Sequence, residues 1–328
     1  MLYELPGFEH VDAHDVAEAA SCLHQYGEKA RVIAGATDLL ALMKDRIDVP
    51  EILVNIKTIP GMASITYDEK VGLRIGAAVT LNHLAASEMV RQQFGILAQA
   101  ALQVGTTQLR NMGTVGGNLC QRPRCAYFRH PHFICFKKGG TRCFATAGEH
   151  RFYHAIMQAG KCVMAHPSDM APPLIALNAS AVLAGPEGER KVPLASFFLN
   201  PTGLGETGLK PDELLVAIEV PHQETTHQLF VKHRIRRAAD FALASVALVA
   251  RVTDGICADI SVVLGGIAAA PYVAAGVEAI VKGRRPDDAL AQEAAEASVK
   301  GARPLPMNGY KVDLTKTLVR RALMLTGQ

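Results

Sequence analysis

Four cysteines with wide, uneven spacing are the strongest chemical signal in this sequence. Nine, seven and eighteen residues separate the successive members Cys125, Cys135, Cys143 and Cys162. Cys120 precedes them in the same polar, basic segment. Grouped thiolates bind iron–sulfur clusters or zinc, so we expect a metal site here rather than isolated buried cysteines.

The spacing alone leaves the kind of metal open. Zinc sites usually begin with a closely spaced cysteine pair, and the nearest pair here is Cys120 and Cys125. The long spacings fit an iron–sulfur cluster wrapped by a loop somewhat better. Four histidines keep a mixed Cys/His zinc site open: His130, His132, His150 and His154. No single cysteine is marked out as a nucleophile, so Cys–His covalent catalysis is the least favoured interpretation.

Basic side chains surround the cysteines. They are Arg122, Arg124, Arg129, Lys137, Lys138 and Arg142. The simpler interpretation is a solvated basic loop. The alternatives are compensation for an anionic cluster, or a docking surface for an acidic electron carrier.

Two glycine turns suit a phosphate or pyrophosphate. "AGATDL" (Ala34–Leu39) follows a predicted strand and opens a helix, and "GTVGGN" (Gly113–Asn118) follows a helix and opens the cysteine segment. Glycines allow successive N–H groups to point into one concave space, and a helix N-terminus adds partial positive charge. The alternative is that each is only a tight turn.

A third glycine pattern is misleading. Gly203, Gly205 and Gly208 spell G-x-G-x-x-G. The dinucleotide fingerprint requires a strand before this pattern and a helix after it. Prolines flank it here, at Pro201 and Pro211, so we predict a loop.

The surrounding periodicity predicts an α+β protein. A helix capped by Asp12 and two buried strands form a βαβ-like unit, and short strands and a long apolar helix over about 81–104 follow. Asp254-Gly255 between two apolar runs predicts a hairpin. Helices are expected over about 273–282, 286–302 and 308–326. Asp169, before a predicted helix, reads most simply as a cap.

The bulk composition excludes several classes of protein. A net charge of +3 and the absence of Trp argue against a nucleic-acid or anionic-membrane surface. No apolar run is long enough to span a membrane. The first residues do not resemble a signal peptide, and seven cysteines is an odd number, so we expect a cytoplasmic protein without a disulfide framework.

Five segments together carry a family resemblance. They are "VIAGATDLL", "RIGAAVTL", "LRNMGTVGGNL", "HPSDMAPPLIALNA" and "KHRIRRAADFALASVAL". Over essentially the whole chain the sequence resembles the FAD-binding medium subunits of the molybdenum hydroxylases, the xanthine dehydrogenase and carbon monoxide dehydrogenase group. The family more often has a second glycine where this chain has Ala36.

The resemblance implies a fold and a flavin site. The fold would be a two-part FAD-binding domain of the vanillyl-alcohol-oxidase type, followed by a domain of three antiparallel strands and three helices. The implied boundaries are 1–60, 61–205 with an insertion at about 120–165, and 212–328. The turns would hold the FAD pyrophosphate, Asp169 would contact the ribityl chain, and Lys232 would lie near the ring. The implied cofactor-binding residues are Ala34, Gly35, Ala36, Thr37, Asp38, Leu39, Thr80, Gly113, Thr114, Gly116, Gly117, Asn118, Asp169 and Lys232.

The cysteine insertion is similar to that of one subset of the family. This subset includes the flavin subunits of 4-hydroxybenzoyl-CoA reductase and of a periplasmic aldehyde oxidoreductase, and its insertion binds a [4Fe–4S] cluster. The resemblance implies that Cys125, Cys135, Cys143 and Cys162 are the ligands and that Cys120 is a bystander.

The resemblance also implies an oxidoreductase role and partners. The chain would be the electron-transfer subunit of a heterotrimer, with a large molybdenum-cofactor subunit, a small [2Fe–2S] subunit and an external carrier such as ferredoxin or NAD. Substrate chemistry would occur in a partner subunit, which could also direct export. The alternative is a stand-alone flavoprotein with a structural zinc.

Overall fold

A parallel sheet of three strands forms the first unit of the chain. The computed structural model describes residues 4–198, 203–224, 226–237 and 239–326. The sheet has the order β1-β3-β2 and packs against the first helix. The elements are β1 (Glu9–Asp12), α1 (Val16–Tyr26), β2 (Ala30–Ile33), α2 (Leu39–Lys44) and β3 (Ile52–Asn55). The predicted cap at Asp12 is wrong, because Asp12 ends β1 and Asp15 accepts a hydrogen bond from Glu18 N at 2.7 Å.

An antiparallel sheet of five strands forms the second unit. Its order is β4-β5-β8-β6-β7. The strands are β4 (Ile65–Asp68), β5 (Gly72–Gly76), β6 (Ser180–Gly185), β7 (Gly188–Pro193) and β8 (Leu214–Val220). β8 lies between β5 and β6, so residues 214–220 belong to this sheet and not to a C-terminal domain that begins at 212.

Short helices pack around this second sheet. They are α3 (Leu81–Ala86), α4 (Glu88–Gln93), α5 (Gly95–Leu102), α6 (Thr107–Met112), α7 (Val115–Leu119), α8 (Ala171–Ala176) and α9 (Leu194–Phe197). The long helix predicted over 81–104 is wrong, although most of the apolar residues in this stretch are buried. Ser87 is extended and its hydroxyl accepts from Val90 N, which ends α3 and begins α4. Phe94, also non-helical, separates α4 from α5.

The C-terminal unit places three helices against an antiparallel sheet of order β12-β11-β10-β9. Its elements are β9 (His227–His233), β10 (Ala244–Thr253), β11 (Ile256–Gly265), β12 (Tyr272–Val273), α10 (Ala275–Val281), α11 (Asp288–Ser298) and α12 (Tyr310–Thr326). Asp254 and Gly255 have φ of 53° and 76° and connect β10 to β11. These values are typical of a two-residue hairpin turn, so that prediction is confirmed. The sheet has one short strand more than expected.

Two apolar cores hold these units together. The larger lies between the first two units, and the other lies between β10, β11 and the C-terminal helices. Between α7 and α8 the cysteine segment forms a loop with two 3₁₀ turns (Phe136–Lys138 and Phe144–Thr146). Within the described ranges, no helix is long and apolar enough to cross a membrane. The α+β fold class is confirmed.

Candidate functional site

The backbones of the two glycine turns are in direct contact. A Cβ added to Gly35 would lie 1.9 Å from the carbonyl oxygen of Met112. One added to Gly113 would lie 3.0 Å from Leu109 O and 3.4 Å from the Thr37 hydroxyl. Glycine at position 35 is therefore required by the close approach of the two turns, which β2 and α6 carry to the same place.

The first turn presents unpaired backbone donors. The N–H groups of residues 35–39 donate no hydrogen bond to any residue in the described ranges, and this segment lines the larger of two clefts. Ala36 has φ of 60°, the left-handed region that favours glycine. Successive N–H groups around a left-handed residue form a concave site for an anion.

The second turn is fixed by internal bonds. The Thr114 hydroxyl accepts from Gly117 N at 3.0 Å, and Val115 N and Gly116 N donate to carbonyls of the β5–α3 connection at 2.8 and 2.9 Å. Thr80 pairs with Thr114 through a single β-bridge and caps α3. This turn therefore shapes the cleft, while the first turn supplies most of the available N–H groups.

Two adjoining clefts together offer the space of a ligand pocket. The space open to a water-sized sphere is about 540 Å³ in the larger cleft and about 210 Å³ in its neighbour. Pockets for small molecules usually have roughly 300–1,000 Å³. The clefts adjoin, because both are lined by Gln121 and by the same residues of the two turns: Thr37, Asp38, Thr114 and Gly117.

Asp169 and Lys232 form a buried ion pair at the second cleft. Lys232 Nζ lies 2.6 Å from Asp169 Oδ2, and neither side chain is more than 4% exposed. Lys232 also donates to Gln103 O at 2.9 Å. Burial raises the pKa of Asp169, while Lys232 opposes the rise. Asp169 is not the cap of α8, because Met170 occupies the cap position and no side chain caps the helix.

Asn118 connects the second turn to the segment that carries Asp169. Its Oδ1 accepts from Ser168 Oγ at 2.6 Å and from Met170 N at 3.3 Å. All three residues are buried. The cleft walls contributed by α7 and by the start of α8 are thereby held in one arrangement.

The four widely spaced cysteines line one cavity. The space open to a water-sized sphere within it is about 10 Å³, and Phe128 and Phe136 also line it. Cys125, Cys135 and Cys162 are each 7–8% exposed. Cys120 lines the larger cleft instead, and its burial raises the pKa of its thiol to about 12.

The thiols of this cavity interact with one another. The Cys162 thiol donates toward the Cys143 sulfur, which lowers the pKa of Cys143 and raises that of Cys162. Burial raises the pKa of Cys125, and the sulfurs of Cys143 and Cys135 add to the rise. All seven cysteines are free. Among the described residues, no three His, Cys, Asp or Glu side chains are arranged to hold a metal ion. The donor set nevertheless fits an iron–sulfur cluster, which four thiolates around one small cavity can bind.

Most basic residues of the loop are paired rather than solvated, although Arg142 is exposed. Arg124 and Arg129 each place a guanidinium nitrogen 2.7 Å from Asp38 Oδ1, and Arg122 N donates to Asp38 Oδ2 at 2.8 Å. Burial lowers the pKa of Arg124 to about 10. Neither guanidinium is more than 19% exposed. The first turn and the cysteine loop are thereby joined, although no local sequence pattern pairs residues so far apart.

The glycine pattern at 203–208 is a loop, as predicted, and the cysteine loop holds it. Lys137 is buried and donates to Gly203 O at 2.9 Å and Gly205 O at 2.8 Å. Its Nζ also lies 3.3 Å from Glu206, whose carboxylate lies 2.8 Å from Arg122. Gly205 lines the larger cleft, so Lys137 connects the wall of that cleft to the cysteine loop.

Two families of domains match the chain. Residues 6–223 match the FAD binding domain in molybdopterin dehydrogenase, and residues 230–326 match the C-terminal domain of CO dehydrogenase flavoprotein. Both matches agree with the position of β8 in the second sheet.

Similar proteins cover nearly the whole chain. The aldehyde oxidoreductase FAD-binding subunit PaoB of Escherichia coli (strain K12) is 36% identical over 298 residues, which are 90% of each chain. The carbon monoxide dehydrogenase medium chain of Hydrogenophaga pseudoflava is 29% identical over 324 residues, 97% of this chain and 96% of that protein. A solved structure of carbon monoxide dehydrogenase from the same organism superposes with a TM-score of 0.80 and 28% identity, covering 98% of both chains. The chain therefore belongs to the FAD-binding medium subunits of the molybdenum hydroxylase family and is the flavin subunit of an oxidoreductase.

Proposed function

We propose that this chain carries FAD and a [4Fe–4S] cluster and transfers electrons within a molybdenum-dependent complex. The observation that carries the proposal is the joining of two sites. Four thiols line one cavity, and the loop that bears them is tied to the flavin turn through Asp38. When bound, FAD converts between two-electron and one-electron transfer, and the cluster carries single electrons.

In this proposal the described residues of the clefts hold FAD. The N–H groups of residues 35–39 bind the pyrophosphate, and the second turn keeps them in place by its contact with Gly35. Asp169 faces the second cleft and accepts a hydrogen bond from a ribityl hydroxyl. Lys232 supplies a fixed positive charge behind it. Thr80 supports the site indirectly, because it positions Thr114.

The four cavity cysteines are the proposed ligands: Cys125, Cys135, Cys143 and Cys162. Their thiolates bring negative charge into a buried place, which needs compensation. Burial lowers the pKa of Lys138, and the nearby thiols of Cys135 and Cys125 oppose this. Lys137 lies near Cys162 and partly offsets the rise in the pKa of that thiol. The loop's cations thus serve charge balance.

The partners follow from the relatives. Proteins similar to this one are called FAD-binding subunit, medium chain, and subunit of a dehydrogenase complex. We infer that this chain assembles with a large molybdenum-cofactor subunit and a small [2Fe–2S] subunit. An external carrier then exchanges electrons with this chain.

Metal analysis of matched cysteine variants tests the assignment. The purified chain, with any co-purifying subunits retained, should contain FAD, about four iron atoms and acid-labile sulfide. Cys135→Ser should lose iron and sulfide and keep FAD. Cys120→Ser is the control, because Cys120 lies in the larger cleft, and it should keep its iron. Zinc in place of iron would contradict the assignment and favour the structural-zinc alternative. Iron loss in Cys120→Ser with retention in Cys135→Ser would contradict the assignment of the ligands.

A further inference from the structure

A buried histidine lies against one of the proposed cluster ligands. The Nε2 atom of His154 is 3.3 Å from Cys125 Sγ. The residue is 5% exposed and Cys125 is 8% exposed. A sulfur at this distance is within hydrogen-bond range of a ring N–H.

The proton on this ring belongs on Nε2. A thiolate that ligates iron has lone pairs and no hydrogen, so it can only accept. The tautomer with hydrogen only on Nδ1 would instead turn the lone pair of Nε2 toward the lone pairs of the sulfur.

The backbone of His154 is fixed by residues at and just before the start of α12. His154 O accepts from Lys311 Nζ at 3.0 Å and from Asn308 Nδ2 at 3.3 Å. Lys311 and Asn308 are fully buried, and Lys311 also donates to Gly266 O at 2.6 Å. His154 also pairs with Met164 in a β-bridge. These contacts fix the backbone from which the ring extends to Cys125.

We propose that His154 donates a hydrogen bond to the Cys125 thiolate and thereby raises the reduction potential of the cluster. This inference rests on the function proposed above. A donor at a ligand sulfur stabilises the reduced cluster more than the oxidised one, because reduction adds one negative charge. His154 is thus a positioning residue that acts through Cys125.

Two variants separate the hydrogen bond from the space that the ring fills. His154→Phe keeps a flat ring and removes the donor, and His154→Gln keeps an N–H at similar reach. In a redox titration followed by EPR, on the full chain with its co-purifying subunits, His154→Phe should make cluster reduction about tenfold less favourable, which is about 59 mV for one electron. His154→Gln should remain near the wild type. An unchanged potential in His154→Phe with full iron content overturns the inference and leaves the proposed function intact.

A measurement on the wild type covers the case in which His154→Phe loses iron. Protein labelled with ¹⁵N-histidine should show a weak nitrogen coupling to the reduced cluster, together with a coupled proton that exchanges in D₂O. The strong coupling of a nitrogen bonded to iron would overturn the inference, because His154 would then be a ligand. Absence of iron from the wild type would instead be the failure of the proposed function.

Discussion

Arg129 places its guanidinium 2.7 Å from the carboxylate of Asp38, 91 positions earlier in the chain. Arg124 makes a second contact of 2.7 Å to the same oxygen. Asp38 belongs to the first glycine turn, and both arginines belong to the cysteine loop. One carboxylate thus pairs with two cations of the loop and fixes the loop against the first turn.

Asp38→Asn should release the cysteine loop. The change leaves two partly buried guanidinium groups without their counter-ion, so we expect the free energy of unfolding to fall by about 3 kcal/mol. Trypsin should also cleave within residues 122–142 faster than in the wild type. Chemical denaturation and timed proteolysis measure these effects. The control is Glu224→Gln, which breaks the exposed pair with Arg251 and should change stability by less than about 1 kcal/mol. Equal effects of both variants would refute the role of Asp38.

Ala36→Gly should stabilise the protein. Ala36 has φ of 60°, and a left-handed conformation costs a residue with Cβ about 1–2 kcal/mol relative to glycine. The greater freedom of glycine in the unfolded chain offsets part of this gain, so an increase of about 1 kcal/mol in the free energy of unfolding is expected. Denaturation by urea measures it.

The neighbouring glycine provides the opposite case. Gly35→Ala would bring a Cβ within 1.9 Å of Met112 O, so the two turns would have to separate. We expect this variant to lose FAD during a purification in which Ala36→Gly, purified in parallel, retains it. A Gly35→Ala protein that retains FAD would show that the contact between the turns is dispensable.

The sequence predicted the parts of the site that depend on local backbone geometry. Glycine clusters marked both turns, because only a few residue types fit such bends. The hairpin at Asp254-Gly255 was predicted for the same reason. The long helix over 81–104 was wrong because its apolar pattern is continuous across Ser87, where a single capping hydroxyl ends one helix and begins another.

Contacts between residues far apart in the chain could not be predicted from the sequence pattern. The basic residues of the loop looked like a solvated face, since nothing near them in sequence carries the opposite charge. Their partners are Asp38, which lies 84 to 91 residues earlier in the chain, and Glu206, which lies 69 to 84 residues later. Likewise β8 follows a Gly- and Pro-rich stretch that resembles a domain junction, but its strand pairs with β5 and β6.

Replacing Asp169 alone should destabilise the protein more than replacing both Asp169 and Lys232. Asp169→Asn leaves the buried ammonium of Lys232 with Gln103 O as a neutral partner. We expect the free energy of unfolding to fall by about 3–5 kcal/mol, and the double variant Asp169→Asn with Lys232→Met to recover part of that loss. Denaturation of the wild type, the two single variants Asp169→Asn and Lys232→Met, and the double variant measures this as a double-mutant cycle. Additive losses would mean that the two residues do not act as a pair.

His166 should make the protein sensitive to acid. Burial, together with Lys137, lowers the pKa of His166 to about 3 from an ordinary value of 6.5. Between these values the unfolded chain binds a proton that the folded protein does not bind. Its contribution to stability is therefore complete above pH 6.5 and is lost as the pH falls toward about 3, by up to about 1.4 kcal/mol per pH unit. His166→Gln keeps an acceptor for Ser168 N and does not titrate, so its free energy of unfolding should fall less steeply between pH 6.5 and 4. His227→Gln, at an exposed position, is the control and should retain the wild-type slope. If His166→Gln also retained that slope, another group would have to account for the acid sensitivity.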